Sequence, residues 1–221
     1  MKGLFITFEG PDGAGKTTQV ALLAEYLKEL GFEYITTREP GGTLIGNQIR
    51  QILLEPSYHE LKGQTEILLY AASRAQLVHE IILPALEKGK IVLCDRYIDA
   101  SIAYQAYGLG IDRKIVEEIN RFASSNLKPD RTYLLDIKPE LGRKRLIERN
   151  QKNKKHLDRI EQKDILYHQR VYQGFMDLAK EEPNRIIKIN ADQPVLQIFE
   201  KIKSDFHFFL QSRLMKGELS L

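Results

Sequence analysis

The 221-residue chain contains a single cysteine and no tryptophan, and none of its apolar runs is long. The lone cysteine, Cys94, excludes an internal disulfide framework and a cysteine-rich metal site. Because it closes an apolar stretch, we expect it to be a buried core thiol. The longest segment without Asp, Glu, Lys or Arg, residues 100–111, is polar and too short to span a bilayer. The composition therefore argues against disulfide scaffolds and membrane-spanning proteins.

The chain also lacks a strong net charge of either sign. The chain has 33 basic and 30 acidic residues, a formal net charge of +3, which is too small to indicate a nucleic-acid partner. Its length fits one α/β domain with a sizeable core, and no repeat or long linker divides it. The first apolar run begins at the start of the chain, which leaves no room for a signal peptide. We therefore expect a cytoplasmic domain over residues 1–221, with neither nucleic acid nor membrane as a partner.

Apolar, β-rich runs alternate with longer amphipathic patterns, which is typical of a parallel sheet covered by helices on both faces. The apolar runs predict strands near residues 2–8, 33–37, 90–94, 131–136 and 185–190. The amphipathic patterns predict helices near residues 16–30, 44–54, 62–88, 98–106, 111–125, 138–150, 159–181 and 194–213. Pro84 should bend or interrupt the third of these helices. The sequence thus predicts an α/β fold with a five-stranded parallel sheet flanked by helices.

One segment carries a specific chemical signature. Residues 10–18 fit the pattern G-x-x-x-x-G-K-[ST], directly after the first predicted strand and at the start of the first predicted helix. In that setting glycines let backbone N–H groups turn around a phosphate chain, and the helix adds the positive end of its dipole. The pattern predicts the P-loop NTPase fold and a triphosphate-binding loop formed by Gly10, Pro11, Asp12, Gly13, Ala14, Gly15, Lys16, Thr17 and Thr18.

Four residues indicate phosphoryl-transfer chemistry. Lys16 can reach the β and γ phosphates, and the Thr17 hydroxyl is placed to ligate Mg²⁺. Asp95 closes the third predicted strand at the sheet edge where the loop opens, so it is a candidate to hold Mg²⁺ or its waters. Arg96 follows it and can clamp a phosphoryl group; the alternative is a structural Asp–Arg pair that caps the strand. The absence of a guanine-reading N-K-x-D motif and the short chain favour a kinase over a GTPase or a motor.

A strongly basic segment lies between the sixth and seventh predicted helices and includes the polar break at residues 150–153. A solvated charged loop is the ordinary interpretation of such a segment. In a P-loop protein, a mobile basic segment is also a lid that encloses phosphates and excludes water. The predicted lid, residues 143–159, contains two acids and eight basic residues, which are Arg143, Lys144, Arg145, Arg149, Lys152, Lys154, Lys155 and Arg159.

Taken together, these motifs resemble the bacterial thymidylate kinase family. The resemblance runs in order from residue 3 to about 195 and leaves only the last part of the chain outside it. It implies a nucleoside-monophosphate kinase type of fold, Mg²⁺-dependent phosphorylation of dTMP by ATP, and a homodimer. The stretches that carry it are residues 8–18, 37–43, 69–76, 95–101 and 157–161, together with Tyr104 and Gln105.

The resemblance also implies a substrate-binding set. Asp12 matches a carboxylate on the 3′-hydroxyl side of the sugar, although Pro-Asp-Gly is also a good turn. Tyr70 stands where the family usually stacks a phenylalanine on thymine, and a core aromatic is the alternative interpretation. Arg96 matches the clamp on the acceptor phosphate. The full implied set is Asp12, Arg38, Pro40, Tyr70, Arg74, Arg96, Ser101, Tyr104 and Gln105.

The remaining members of that set have implied roles as well. Arg38 and Pro40 match a segment that borders the monophosphate, and Arg74 matches a donor to the thymine carbonyl. Tyr104 matches a ring that crowds the 2′ position of the sugar and favours deoxyribose. The positions that read the base edge, one helical turn apart, are Ser101 and Gln105.

Relatives place an extra cation on the transferring phosphoryl either from the P-loop or from the lid. Gly13 occupies the P-loop position here, so the resemblance implies the type in which the lid supplies it. The usual lid arginine is replaced by Lys154, and lysine lacks the bidentate fork of arginine. We expect Arg149 to make the forked contact, with Lys154 or Lys155 assisting.

Three questions stay open at this level. A kinase for another acceptor, such as dUMP, UMP or a deoxynucleoside, shares these motifs, because one methyl group is worth only about 1–3 kcal/mol in a fitted pocket. A non-catalytic nucleotide-binding module uses the same loop, although it needs no second nucleotide pocket. The aromatic C-terminal tail, residues 205–221, either extends the last helix or covers an exposed patch.

Overall fold

The computed structural model describes residues 3–152, 154 and 156–215. Its centre is a five-stranded parallel sheet with the order β2-β3-β1-β4-β5. The predicted sheet is confirmed, and each strand lies close to its predicted position. The strands are β1 Phe5–Glu9, β2 Tyr34–Arg38, β3 Ile91–Asp95, β4 Arg131–Asp136 and β5 Ile186–Asn190.

The central strand is apolar because both of its faces are covered. All five residues of β1 are buried. Ile6 faces a cluster formed with the first and last helices, whereas Phe5 faces a cluster on the opposite side of the sheet. Cys94 lies in that second cluster and is fully buried, which confirms its prediction as a core thiol. This packing brings the carboxyl ends of β1 and β3 to one edge of the sheet.

Helices cover both faces in the order that the sequence indicates. The predicted helix at 62–88 is divided as Pro84 suggested, because proline cannot donate to the preceding turn, and a π-helical segment at Val78–Ile82 precedes it. A second π-helical segment, Ile102–Gly108, continues α5. The α-helices are α1 Lys16–Glu29, α2 Leu44–Leu54, α3 Gly63–Leu77, α4 Leu83–Glu87, α5 Ile98–Ser101, α6 Arg113–Ala123, α7 Pro139–Lys152, α8 Ile165–Glu181 and α9 Val195–Met215.

The basic segment differs from its prediction. The expected break at residues 150–153 is wrong over its first three positions, because α7 continues to Lys152 and buries Asn150. The predicted start of the next helix at residue 159 is also wrong: α8 begins at Ile165 after an N-cap at Asp164. In between, the Asp158 carboxylate accepts from the backbone N–H groups of Ile160 and Glu161, which favours a turn over a helix.

The described part of the C-terminal tail extends the last helix, which was one of the two alternatives. Phe206 and Leu210 are buried against the sheet cluster, whereas Phe208 is exposed. Residues 216–221 of the predicted tail lie outside the described residues. Across the residues that the structure describes, no helix combines the length and apolarity needed to cross a membrane.

Candidate active site

The P-loop connects β1 to α1 through a backbone that only glycine adopts readily. Gly10, Gly13 and Gly15 all have positive φ angles, of 132°, 78° and 92°. The Lys16 ammonium lies over this loop and donates to the carbonyls of Gly10 at 3.1 Å and Pro11 at 2.9 Å. Burial, together with the charge of Arg96, lowers the pKa of Lys16 to about 8. The loop therefore carries a buried cation and a ring of turned backbone amides, which suits a polyphosphate.

The P-loop also touches the helix that carries the basic segment. A Cβ atom on Gly13 would lie 2.1 Å from the carbonyl oxygen of Gly142 in α7, and a Cβ on Gly142 would lie 2.5 Å from the Asp12 carbonyl. The two backbones meet where neither has a side chain. This arrangement leaves no room for a cationic side chain at position 13, in agreement with the expectation that the loop does not supply the extra cation.

Two oxygen ligands lie together at the opening of the loop. Thr17 stands in the first turn of α1 and Asp95 ends β3, and the Thr17 hydroxyl donates to the Asp95 carboxylate at 2.6 Å. In the described residues no cluster of three or more His, Cys, Asp or Glu side chains could hold a metal ion. The donor set fits Mg²⁺, which is usually bound by one or two protein oxygens together with substrate phosphates and water.

Arg96 connects the end of β3 to the P-loop. Its guanidinium donates to the Asp12 carboxylate at 2.5 Å and to the Gly10 carbonyl at 2.9 Å, and it lies 5.1 Å from the centre of the Tyr104 ring. The Tyr104 hydroxyl donates to the other Asp12 oxygen at 2.9 Å. Burial alone would raise the pKa of Asp12, but Arg96 and Lys16 hold it well below its usual range. The sequence-predicted residues Asp12, Arg96 and Tyr104 thus form one cluster.

Two cavities meet at this cluster. The P-loop cleft runs past Lys16, Thr17 and Arg38. The inner cavity lies deeper, between α3 and the π-helical segment at Ile102–Gly108. The residues that border both cavities are Asp12, Glu39, Arg50, Arg96 and Asp158. Two ligands seated in these cavities would meet at Asp12 and Arg96.

Most of the implied substrate-binding residues line the inner cavity, but Arg38 lines the P-loop cleft instead. Ser101 and Gln105 lie one turn apart and are almost fully buried. The cavity is partly open and is lined by aromatic and polar side chains, which suits one planar ring held by a few polar contacts. The implied residues that border it are Asp12, Pro40, Tyr70, Arg74, Arg96, Ser101, Tyr104 and Gln105.

Arg74 lies at the deep end of this cavity, and protein acceptors engage its guanidinium on every side. Its side chain donates twice to one oxygen of Glu39, at 2.8 and 2.5 Å. It also donates to Ser101 at 3.1 Å, to the Tyr97 carbonyl at 3.1 Å and to Asn120. Only 1% of Arg74 is exposed. In this arrangement Arg74 holds Ser101 and Glu39 in place at the cavity wall.

Sequence reasoning missed two charged residues at the site. Arg50 borders both cavities and donates to the Pro40 carbonyl at 3.0 Å. Burial, and next the charge of Arg38, lower the pKa of Arg50. The available signal was that Arg50 is the only charged residue in α2. The other missed residue is Glu66 in α3, which is 1% exposed and accepts from Gln105.

The predicted lid cations occupy different surroundings. Arg149 lines the P-loop cleft and lies 3.6 Å from the Glu161 carboxylate, with 58% of its side chain exposed. Lys154 is exposed and does not line either cavity, and Lys155 lies outside the described residues. Arg159 is buried in a 2.7 Å salt bridge with Glu66, so the alternative interpretation of the segment as a solvated charged loop does not hold at this position.

Arg145 links α7 to the loop that follows β5. It donates to the Ala191 carbonyl at 2.9 Å and to Asp192 at 3.3 Å, and it also lines the P-loop cleft. Through Arg145 and the contact at Gly13, α7 touches both the loop after β5 and the P-loop. Three residues of this helix, Arg145, Leu146 and Arg149, line the P-loop cleft.

Comparisons with known proteins identify the family of this chain. The sequence model of the family described as thymidylate kinase matches residues 8–202. The chain is 54% identical over 213 residues to a thymidylate kinase of Exiguobacterium sibiricum, covering 96% of this chain and 98% of that one. It is 46% identical over 202 residues to a thymidylate kinase of Clostridium novyi, covering 91% and 97%.

A solved structure is similar as well. The crystal structure of thymidylate kinase from Ehrlichia chaffeensis has a TM-score of 0.74 and 34% identity to this chain, and the match covers 93% of this chain and 99% of that one. The family model, the near full-length relatives and the shared architecture lead to one conclusion: the chain belongs to the thymidylate kinase family.

Proposed function

We infer that this protein is a dTMP kinase, which transfers the terminal phosphoryl group of ATP to dTMP and releases dTDP and ADP. The single observation that carries the inference is the shared wall of the two cavities at Asp12 and Arg96. A P-loop alone would bind one nucleotide. A second cavity that meets the P-loop cleft at the half-buried Arg96 provides for an acceptor nucleotide whose phosphate points at the donor.

We propose that the P-loop cleft takes ATP. Backbone amides of residues 10–18 and the Lys16 ammonium would surround the β and γ phosphates. Thr17 and Asp95 would hold Mg²⁺, which neutralises charge on the β and γ phosphate oxygens when it is bound. The loop after β5, which Arg145 of the cleft contacts, would lie against the adenine.

We propose that the inner cavity takes the nucleoside of dTMP. The Tyr70 ring offers a face for stacking on the base, and Ser101 and Gln105 would read its edge, with Arg74 holding Ser101 at that edge. Asp12 and Tyr104, joined at 2.9 Å, would lie against the sugar, and Pro40 closes the cavity beside them. Arg50 and Arg96 at the junction of the cavities, together with Arg38 in the P-loop cleft, would hold the acceptor phosphate.

The chemistry then needs positioning and charge rather than a strong base. A phosphate oxygen of dTMP attacks the terminal phosphorus of ATP, and the bond from that phosphorus to the β-bridging oxygen breaks. Negative charge develops on the transferring group between the two nucleotides, where Lys16 and Arg96 lie. Arg149 borders the same cleft and would add the lid cation, with Lys154 at a greater distance.

The protein also has an apolar surface that fits a homodimer. Ile45 and Ile52 lie two helical turns apart in α2, and Ile115 and Phe122 have the same spacing in α6. All four are exposed, Phe122 by 86%, and Leu68 in α3, which packs against both helices, is exposed by 58%. Exposed apolar residues on three adjacent helices favour burial against a second copy. We propose a cytoplasmic homodimer, since the reaction draws on the cell's ATP.

Oligomeric state is tested by analytical ultracentrifugation of Phe122→Asp, with Phe208→Asp as the matched control on α9. A monomer for the first variant and a dimer for the second are expected. A dimer that survives Phe122→Asp would place the interface elsewhere.

The activity itself is tested by coupled ADP release with a panel of acceptors: dTMP, dUMP, UMP and dCMP. We expect turnover with dTMP and Mg²⁺, a weaker response to dUMP, and little with UMP or dCMP. Lys16→Ala is the negative control for ATPase contamination. Absence of dTMP-dependent ADP production would refute the function, and equal rates with UMP would refute the acceptor assignment.

A further inference from the structure

A buried network connects the lid boundary to the base-reading side chain. The Glu66 carboxylate accepts from the Gln105 amide nitrogen Nε2 at 3.1 Å and pairs with Arg159 at 2.7 Å. Glu66 and Gln105 are each 1% exposed, and Arg159 is 8% exposed. Arg159 is anchored in turn by donating to the Leu53 carbonyl at 2.9 Å. The network therefore lies in the protein interior and is held by a salt bridge and two further hydrogen bonds.

The partner of Gln105 decides which end of its amide faces a ligand. An amide side chain has a donor end and an acceptor end. A carboxylate paired with an arginine accepts hydrogen bonds and donates none, so only the Nε2 end of Gln105 can face Glu66. The Oε1 end is then left for the cavity, and no described residue hydrogen-bonds to it.

We propose that Glu66 is a specificity-positioning residue: it turns the Gln105 amide so that the cavity presents an acceptor to the base. An acceptor at this point suits a pyrimidine ring whose N3 carries a hydrogen, as in thymine and uracil. Cytosine has an unprotonated N3, so two acceptors would face each other without a proton. The inference rests on the proposed function, because it assumes that the inner cavity holds the pyrimidine base.

Glu66→Gln tests this directly. Glutamine has nearly the same shape, but its amide can donate to Oε1 of Gln105 and let that side chain turn over. The ratio of kcat/KM for dTMP to that for dCMP should fall by about tenfold or more, because a buried donor would then face the N3 hydrogen of thymine. Circular dichroism and thermal melting check that the variant is folded.

Two control variants distinguish orientation from general damage. Glu66→Asp keeps a pure acceptor at a shorter reach, and Arg159→Lys keeps a cation beside Glu66 while losing the contact to Leu53. Both should lower turnover without changing the dTMP to dCMP ratio. An unchanged ratio in folded Glu66→Gln, or an equal fall in Arg159→Lys, would overturn the proposal.

If Glu66→Gln does not fold, the double variant Glu66→Gln with Arg159→Met removes the buried charge together with its partner. The same fall in the ratio is expected from it, and an unchanged ratio overturns the proposal. Gln105→Ala distinguishes the role of Glu66 from base recognition by Gln105 itself. If Gln105→Ala alters the dTMP to dCMP ratio but the Glu66 variants do not, only the role of Glu66 is refuted. If Gln105→Ala leaves the ratio unchanged, base recognition at this position is refuted.

Discussion

Arg96 and Asp12 form a salt bridge of 2.5 Å at the point where the P-loop cleft meets the inner cavity. Arg96 has a positive φ angle of 72°, and its guanidinium also holds the Gly10 carbonyl. The residue expected to bind the acceptor phosphate is therefore fixed to the loop expected to bind the donor. The two expected sites would therefore share one element, the P-loop with Arg96 bound to it.

Arg96→Lys should disable the acceptor side of this site. Lysine keeps the charge, but a single ammonium would replace the two guanidinium nitrogens that contact Gly10 and Asp12 separately. We expect kcat/KM for dTMP to fall by about 10- to 100-fold, the equivalent of one charge-assisted hydrogen bond, with a smaller change in KM for ATP. Steady-state kinetics with each substrate varied will measure both. Equal effects on the two substrates would contradict the assignment of Arg96 to the acceptor.

Gly13→Ala should lower the free energy of unfolding by more than the strain of its positive φ angle alone would. Gly13 and Gly31 have nearly equal φ angles, 78° and 79°, but only Gly13 faces a neighbouring backbone, that of Gly142. Gly31→Ala is the matched control and should cost about 1–2 kcal/mol of unfolding free energy. Gly13→Ala should cost a further 1–3 kcal/mol or so through overpacking and should raise KM for ATP. Urea denaturation measures both variants. Equal losses of unfolding free energy would show that α7 moves away from the added methyl group without a loss of stability.

Alanine substitutions of Arg149 and Lys154 should lower kcat to different extents. Arg149 lines the P-loop cleft and Lys154 does not. If Arg149 stabilises the transferring phosphoryl, Arg149→Ala should lower kcat by about 10²- to 10³-fold with little change in either KM. Lys154→Ala should lower it less than about tenfold if lysine only adds charge nearby. The reverse ranking in single-turnover measurements would assign the lid cation to Lys154.

Glu9 should make stability depend on pH. Burial, followed by the charge of Asp99, raises the pKa of Glu9 from 4.5 to about 8. Between these two values the folded protein holds a proton that the unfolded chain has lost, so stability falls as pH rises from about 4.5 to 8. A glutamine amide at this position has no such proton to lose. The unfolding free energy of Glu9→Gln minus that of the unsubstituted protein should therefore increase as the pH rises, by at most about 1.4 kcal/mol per pH unit.

Urea denaturation at pH 5, 6, 7 and 8 measures this gain. Glu25→Gln, on an exposed position of α1, is the control and should show a constant difference. A constant difference for Glu9→Gln as well would mean that Glu9 ionises normally. The variant keeps an oxygen to accept from the backbone N–H groups of Tyr97 and Ala100, so the contacts that precede α5 are preserved.

Local patterns were sufficient for the sheet and for the phosphate loop. The strands could be predicted because a parallel sheet covered on both sides needs continuous apolar runs, as β1 shows. Asp95 and Arg96 could be predicted because the carboxyl ends of neighbouring parallel strands open at one edge. The meeting of Thr17 with Asp95, which lie 78 positions apart, follows from the same rule.

Long-range pairing was beyond the sequence patterns. Arg159 stands in a run of basic residues, and nothing in that run distinguishes it from the exposed Arg149. Only its salt bridge with Glu66, 93 positions away, buries it. Arg50 was missed for a similar reason, since a single arginine in an amphipathic helix has no local partner to indicate a role. The end of α7 was wrong because packing of Asn150 overrode the polar pattern, and the start of α8 was wrong because Asp158 forms a turn before the N-cap at Asp164.

The sequence by itself determined the strands, the P-loop and the family resemblance, because each depends on residues that are close together along the chain. Only the tertiary structure decided the strand order, the shared wall between the two cavities and the orientation of the Gln105 amide. The strand order depends on which apolar strands pair across the sheet. The cavity wall and the Gln105 contact depend on which charged group meets which partner, and the energy of such a group is set by the groups packed around it.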